Sequence, residues 1–189
     1  MTGKIQILGI CGSLRKNSYN KMALKVAVNN APKNAVVEII DIGSLPFFNQ
    51  DLEESPPESV KTYRDKVKNA DAILFAVNEH NFSVSAVLKN AIEWASRPYT
   101  QAALSKKPVA MMGASNGMIG SARAQYHLRQ MLLQTDSLPI NRPEVLIPFA
   151  QEKFDTQGKL TDEKTLQKIQ DLLNALIDWT IKLKRMNTT

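Results

Sequence analysis

Hydrophobic and polar positions along the 189-residue chain follow two alternating patterns. Short apolar runs rich in Val, Ile and Leu are typical of buried strands, whereas apolar residues that recur every three or four positions are typical of amphipathic helices. The first pattern predicts strands at residues 4–10, 36–42, 72–77, 108–114 and 144–148. The second pattern predicts helices at residues 20–31, 58–70, 87–97, 121–135 and about 162–185.

This alternation predicts the fold class. Strand–helix–strand units with right-handed crossovers build a parallel sheet with helices on both faces, so the chain is predicted to be a doubly wound α/β protein. Residues 1–189 contain no internal repeat and no low-complexity linker, and we interpret them as one domain. Ligands of such sheets bind beyond the carboxyl ends of the strands. The loops that follow the first, third and fourth strands therefore form the candidate site.

The first of these loops is longer and more polar than a plain connection. Residues 11–20 read CGSLRKNSYN, whereas such connections take about two to six residues. The loop has neither P-loop spacing nor a Gly-x-Gly-x-x-Gly pattern. Ser13, Arg15, Ser18 and Asn20 offer hydrogen-bond donors at a helix start, where free N–H groups favour an anion. We interpret the loop as a phosphate site; alternatively, Ser18 or Asn20 is only an N-cap.

The second loop follows the third strand and is also polar. Asn78, Glu79, His80 and Asn81 are consecutive there, where the head group of a ligand would lie if its phosphate occupied the first loop. The competing interpretation is a solvated turn with a surface histidine. The cluster gains weight because it is expected at the same sheet edge as the first loop.

The third loop, within residues 113–125, is rich in glycine. Gly113, Gly117 and Gly120 would let the backbone approach a flat ligand closely. The alternative is ordinary turn chemistry before a helix whose N-cap is Ser121. Three such loops at one edge of the sheet favour a ligand site.

Composition narrows the classes of partner. The net charge is +6, but the Lys and Arg residues are scattered and aromatic content is only 6%. These features favour small phosphate-bearing ligands over a nucleic acid. With the single cysteine Cys11, two histidines and no long apolar window, the sequence predicts a cytoplasmic protein without a metal site, a signal peptide or a membrane span.

Three motifs resemble one known family. The stretches GSLRKNSYN (12–20), LKNAIEWASRP (88–98) and GASNGMIGSARAQYHLRQ (113–130) closely resemble the NADPH-dependent FMN reductase family, and the resemblance covers about residues 4–150. It implies a flavodoxin-like three-layer sandwich with a five-stranded parallel sheet in the order 2-1-3-4-5. It also implies non-covalent FMN and a homodimer or homotetramer, with the helix at 87–97 near the interface.

The resemblance assigns cofactor contacts to all three loops. By position, the contacts in the first loop are Ser13, Leu14 (through its backbone), Arg15, Ser18, Tyr19 and Asn20. Those in the second loop are Asn78, Glu79, His80, Asn81 and Phe82, and those in the third are Ser115, Asn116 and Gly117.

The chain also departs from the family pattern. Asn78 and His80 stand where the family commonly has proline and tyrosine, and Ser85-Ala86 replaces a Pro-Gly pair. Proline stiffens a loop and tyrosine would shape a flavin pocket. We therefore expect these changes to affect flavin affinity and acceptor range without touching the phosphate loop.

The resemblance implies a reaction as well. NADPH or NADH would give a hydride to N5 of FMN, and a small acceptor would then take electrons in a ping-pong scheme: a quinone, azo compound, chromate, ferric complex or free flavin. The chemistry belongs to the flavin, so no catalytic side chain is expected. His80 is a candidate contact to the acceptor. The alternatives are a flavodoxin-like electron carrier, which the basic charge disfavours, and an FMN-binding module without its own NAD(P)H turnover.

Overall fold

The structure, a computed structural model, describes residues 3–186. The strands in this part of the chain are β1 (Ile5–Cys11), β2 (Ala35–Ile40), β3 (Ala72–Ala76), β4 (Glu79–His80), β5 (Ser83–Val84), β6 (Pro108–Ala114), β7 (Leu138–Pro139) and β8 (Val145–Ile147). The helices are α1 (Tyr19–Asn29), α2 (Glu58–Asn69), α3 (Ala86–Ala95), α4 (Ala122–Gln134) and α5 (Glu163–Met186). Every predicted element is present, and most bounds agree within two residues.

The main sheet is parallel throughout. Its order is β2-β1-β3-β6, and the fifth position is filled by β7 and β8 together, which pair with the two ends of β6. The predicted order 2-1-3-4-5 is thus confirmed, with a divided fifth strand. The division follows from the sequence of residues 140–144, INRPE, because a proline has no N–H to donate to a strand ladder.

Helices cover both faces of this sheet. One face packs against α1 and α5, and the other packs against α2, α3 and α4. Alternate residues of β3 point to opposite faces of the sheet. Leu74 belongs to the hydrophobic core on the first face, whereas Ile73 and Phe75 belong to the core on the second. Because both faces of the sheet are covered, each central strand is a continuous run of apolar residues. The sheet is therefore a rigid platform, and its carboxyl edge is formed by the loops after β1, β3 and β6.

A small second sheet lies at that edge and was not predicted. β4 and β5 form an antiparallel hairpin whose turn residues, Asn81 and Phe82, have φ angles of +49° and +63°. Asn adopts positive φ readily, but a bulky aromatic residue rarely does. The sequence predicts only a loop at residues 78–85, because strands of two residues leave no alternating pattern and Phe82 is not a typical turn residue.

Candidate functional site

The first loop ends at the N-terminus of helix α1. Ser18 is the N-cap of α1, and its Oγ accepts a hydrogen bond from the backbone N of Lys21 at 3.4 Å. Ser13 and Ser18 are buried, whereas Arg15 is exposed and has no ion-pair partner among residues 3–186. The hydroxyl hydrogens, the guanidinium and the free N–H groups of the first helical turn are donors, which suits an anion.

Asn20 joins the first loop to the third. Its Nδ2 donates to the carbonyl of Ala114 at 2.9 Å, and its Oδ1 accepts from the N–H of Ala114 at 2.9 Å. β3 ends at Ala76, opposite Met112, so these two backbone groups have no strand partner on that side. The carboxamide therefore acts as a peptide group that continues the sheet. This role is structural and was not foreseen from the sequence.

Leu14 lies apart from the cleft. Its side chain is exposed, and its carbonyl accepts a hydrogen bond from Nζ of Lys21 at 3.2 Å. The backbone contact expected of Leu14 would therefore have to come from its N–H group. Lys21 was not singled out in the sequence, although its ammonium adds positive charge beside the same loop.

The hairpin is attached to α4 through Glu79. Its carboxylate accepts from the backbone N of Ala124 at 3.2 Å and lies 3.4 Å from the guanidinium of Arg123. A carboxylate at a helix N-terminus is favourable because it faces the positive end of the helix dipole. The guanidinium of Arg123 also lies 4.1 Å from the centre of the Phe82 ring. Glu79 and Arg123 therefore fix the position of the hairpin turn.

Two adjoining clefts lie along this edge. The narrower has a volume of about 220 Å³ and is lined by Ser13, Arg15, Ser18, Tyr19, Asn20, Asn78, Glu79, His80, Ala114, Ser115 and Asn116. The wider has a volume of about 920 Å³ and is lined by Glu79, Asn81, Phe82, Ser115, Gly117, Met118, Ile119 and Arg123. Glu79 and Ser115 line both clefts, so the two adjoin. All of the predicted contacts except Leu14 line one or the other.

Sequence reasoning missed three residues of the wider cleft. Met118, Ile119 and Arg123 line it beside the predicted ones. Met118 and Ile119 are exposed apolar residues in the middle of the glycine-rich loop, a pattern that could have indicated an apolar contact surface.

Two of the three glycines in the third loop serve the packing of the protein itself. A Cβ on Gly113 would lie 1.8 Å from Oγ of Ser121, and a Cβ on Gly120 would lie 2.5 Å from the backbone N of Ile147. Gly120 also has a φ of +55°. Gly117 has open space around its Cα and lines the wider cleft. Close approach to a ligand is therefore a reason for glycine only at Gly117.

The titratable groups near the first loop include a protonated thiol. Burial raises the pKa of Cys11, and this effect exceeds the lowering by the backbone of Ser13, the charge of Lys21 and the hydroxyl of Ser18. Cys11 is thus a neutral core residue at physiological pH. Among residues 3–186 no group of three His, Cys, Asp or Glu side chains could hold a metal ion, and no helix is long and apolar enough to cross a membrane.

The residues present fit FMN. The narrow cleft combines donors for a phosphate with a buried, unpartnered acceptor, Oδ1 of Asn78. The wide cleft is open and bordered by Phe82, Gly117 and Met118, which suits a flat ring system. A parallel sheet in the order 2-1-3-4-5 with such a cleft at its carboxyl edge defines a flavodoxin-like protein of the FMN-binding class.

Comparisons with known proteins assign the family. Residues 5–152 match the NADPH-dependent FMN reductase family, and the chain belongs to it. It is 48% identical over 185 residues to an NAD(P)H-dependent FMN reductase of Pseudomonas aeruginosa, covering 97% of this chain and 100% of that protein. It is 42% identical over 177 residues to a quinone reductase of Pseudomonas putida, covering 93% of this chain and 94% of that protein.

A solved structure agrees. FerB, a flavoenzyme NAD(P)H:(acceptor) oxidoreductase from Paracoccus denitrificans, superposes with a TM-score of 0.87 at 38% identity, covering 94% of this chain and 98% of that one. The chain is therefore an NAD(P)H-dependent oxidoreductase that uses FMN, as the sequence motifs indicated.

Proposed function

We propose that this enzyme passes electrons from NAD(P)H to small acceptors by a ping-pong mechanism, with quinones as the first acceptors to test. The observation that carries the proposal is the pair of adjoining clefts, one narrow and rich in donors, the other wide and open. Several relatives are named quinone reductases or quinone oxidoreductases. Azo compounds, chromate, ferric complexes and free flavin are further acceptors compatible with an open ring face.

When bound, FMN supplies the redox chemistry: it accepts a hydride from NAD(P)H and reduces the second substrate. The protein holds its two ends differently. Arg15, Ser13 and Ser18 bind the phosphate, and Phe82 and Gly117 border the ring. The wide cleft is large and open enough for either NAD(P)H or an acceptor to occupy the same face in turn, which favours a ping-pong order. His80 lines the narrow cleft and not the wide one, so to contact an acceptor it would have to reach across the border between the two clefts.

Steady-state kinetics test the proposed order. Initial rates of NADPH and NADH oxidation should be measured at several concentrations of a benzoquinone, without a partner protein. A ping-pong mechanism predicts parallel lines in double-reciprocal plots. Intersecting lines would refute it, and absence of NAD(P)H oxidation would favour a flavodoxin-like electron carrier or a binding module instead.

Substitutions of two neighbouring cationic residues test whether the first loop binds the phosphate. Arg15 lines the narrow cleft, whereas Lys16 is exposed, carries the same charge and does not line it. Arg15→Ala would remove a charge-assisted hydrogen bond at a partly solvated site. We therefore expect it to raise the Kd for FMN roughly 5- to 30-fold. Lys16→Ala should change the Kd less than about threefold, because it removes only an exposed, solvent-screened charge that does not line the cleft. Equal effects of the two variants would contradict the assignment of Arg15.

We further propose that the chain, residues 1–189, is one FMN-binding domain that forms a homodimer or homotetramer in the cytoplasm. Residues 1–2 and 187–189 of this range lie outside the described residues. Exposed apolar side chains near the wide cleft, Phe82, Met118 and Phe149, support self-association because water solvates them poorly. Light scattering after gel filtration should give two or four chain masses; one chain mass would refute this.

Trp94 is excluded from that interface. Its side chain is fully buried, its Nε1 donates to the carbonyl of Pro46 at 2.8 Å, and its ring forms a T-shaped pair with the Phe48 ring at 5.0 Å between centroids. A contact between subunits through α3 would therefore have to use other residues of that helix.

A further inference from the structure

One buried polar atom at the edge of the sheet has no partner in the protein. Asn78 lies two residues beyond the end of β3 and is 7% exposed, and its Oδ1 makes no hydrogen bond within the described residues. Its Nδ2 lies 3.4 Å from Nε2 of His80. An unpaired buried carbonyl is costly, so proteins keep such groups rarely and often at functional sites.

Local packing holds this amide in place. A Cβ on Gly12 would lie only 2.4 Å from Oδ1 of Asn78, so the amide rests directly on the glycine backbone. Gly12 is itself fixed, because its carbonyl accepts a hydrogen bond from Oγ of Ser85 at 2.6 Å. Ser85 is also the N-cap of α3. Asn78 and Ser85, two of the departures from the family pattern, thus both contact Gly12 of the first loop, so the expectation that these changes leave the phosphate loop untouched is wrong.

The position of Asn78 indicates which chemical group can donate a hydrogen bond to its Oδ1. It lines the narrow cleft together with the phosphate-loop residues Ser13, Arg15 and Ser18, and it does not line the wide cleft. A carbonyl oxygen needs a donor. A phosphate monoester is mostly a dianion at neutral pH and offers only acceptors. The sugar-alcohol chain that joins phosphate to ring in FMN carries hydroxyl groups, which donate.

We propose that Oδ1 of Asn78 accepts a hydrogen bond from a hydroxyl of the FMN ribityl chain and so helps this enzyme select flavins that carry that chain. The inference rests on the proposed binding of FMN across the two clefts. Asn78 is a binding residue here and takes no part in electron transfer. In the free protein the same atom is unsatisfied, so its removal should weaken binding without weakening the fold.

A matched pair of variants tests whether FMN binding is weakened without a loss of stability. Asn90 is also a buried asparagine, but its Oδ1 accepts from the N–H of Phe48 at 2.7 Å and its Nδ2 donates to Pro46 at 2.9 Å, away from both clefts. Asn78→Leu should raise the Kd for FMN roughly 5- to 20-fold and leave the urea midpoint of the apoprotein unchanged or higher. Asn90→Leu should lower the urea midpoint and leave the Kd within about twofold. Asn78→Ala, which cannot obstruct the cleft, should repeat the rise in the Kd for FMN.

Two flavin analogues locate the contact. Riboflavin has the ribityl chain without a phosphate, and lumiflavin has a methyl group in place of the chain. Fluorescence titration should show that Asn78→Ala weakens riboflavin binding by about the same factor as FMN binding and leaves lumiflavin binding unchanged. Equal weakening of lumiflavin would overturn the inference, since the amide would then contact the ring. An unchanged Kd for FMN would overturn it as well. If the unmodified protein bound no FMN, the proposed function itself would fail, which is a distinguishable result.

Discussion

Replacing Asn20 should separate two of the three loops that form the site. In Asn20→Ala, the N–H and the carbonyl of Ala114 both lose their hydrogen-bond partner, each bond being 2.9 Å long in the structure. A buried backbone group left unpaired costs about 1 to 3 kcal/mol. Water that enters from the adjoining cleft would recover part of this, so we expect a loss of about 2 to 4 kcal/mol in the free energy of unfolding.

Asn30→Ala is the matched control, because Asn30 lies at the other end of the same helix. Its Nδ2 donates to the carbonyl of Val26, which also accepts from the N–H of Asn30 itself, so truncation leaves no group unpaired. We expect a loss below about 1 kcal/mol there.

Urea denaturation of the two apoproteins, followed by circular dichroism, measures the difference directly. For a chain of this size the expected loss in Asn20→Ala corresponds to a decrease in Tm of about 4 to 16 °C. Equal losses in the two variants would refute the role of Asn20 as a substitute for a strand partner.

Three other substitutions give further tests. Ser18→Ala should raise the Kd for FMN by a factor of about 5 to 30 and cost only about 0.5 kcal/mol of stability, because its capping bond is 3.4 Å long; a large stability loss with unchanged Kd would contradict this. Phe82→Gly relieves a φ of +63° and loses the contact with Arg123, so apoprotein stability should stay within about 1 kcal/mol while the KM for quinone changes; an unchanged KM would argue against its place at the ring. The raised pKa of Cys11 means that the folded state favours the protonated thiol, so stability should fall as pH rises above the ordinary value of 9.0. Cys11→Ala should reduce that alkaline fall in urea titrations, and an unchanged pH profile would contradict the raised pKa.

The pattern of apolar residues was enough to predict the sheet and its helices. Continuous apolar runs such as residues 72–77 can be buried on both faces only in a covered parallel sheet, and right-handed crossovers leave few strand orders. The three loops then had to meet at one edge. The parallel sheet and its covering helices depend on local patterns and general topological rules, so one sequence was enough to predict them, whereas the strand order 2-1-3-4-5 was predicted from the family resemblance.

Other features depend on contacts between distant residues. The bond of Asn20 to Ala114 spans 94 positions, and the bond of Glu79 to Ala124 spans 45. The residue types indicate which side chains can donate or accept hydrogen bonds, but no spacing rule predicts which of them pair. Asn20 therefore looked like a phosphate ligand or a cap, and Arg123 attracted no attention. The hairpin β4–β5 was missed because tertiary packing, rather than turn propensity, holds Phe82 at positive φ.

A crystal structure of the protein with bound FMN would show where the cofactor lies. We expect the phosphate at the N-terminus of α1, within hydrogen-bond distance of the Ser18 hydroxyl and the Arg15 guanidinium, and the ring in the wide cleft against Phe82 and Gly117. A flavin whose phosphate lay elsewhere, with no contact to residues 13–20, would contradict this expectation.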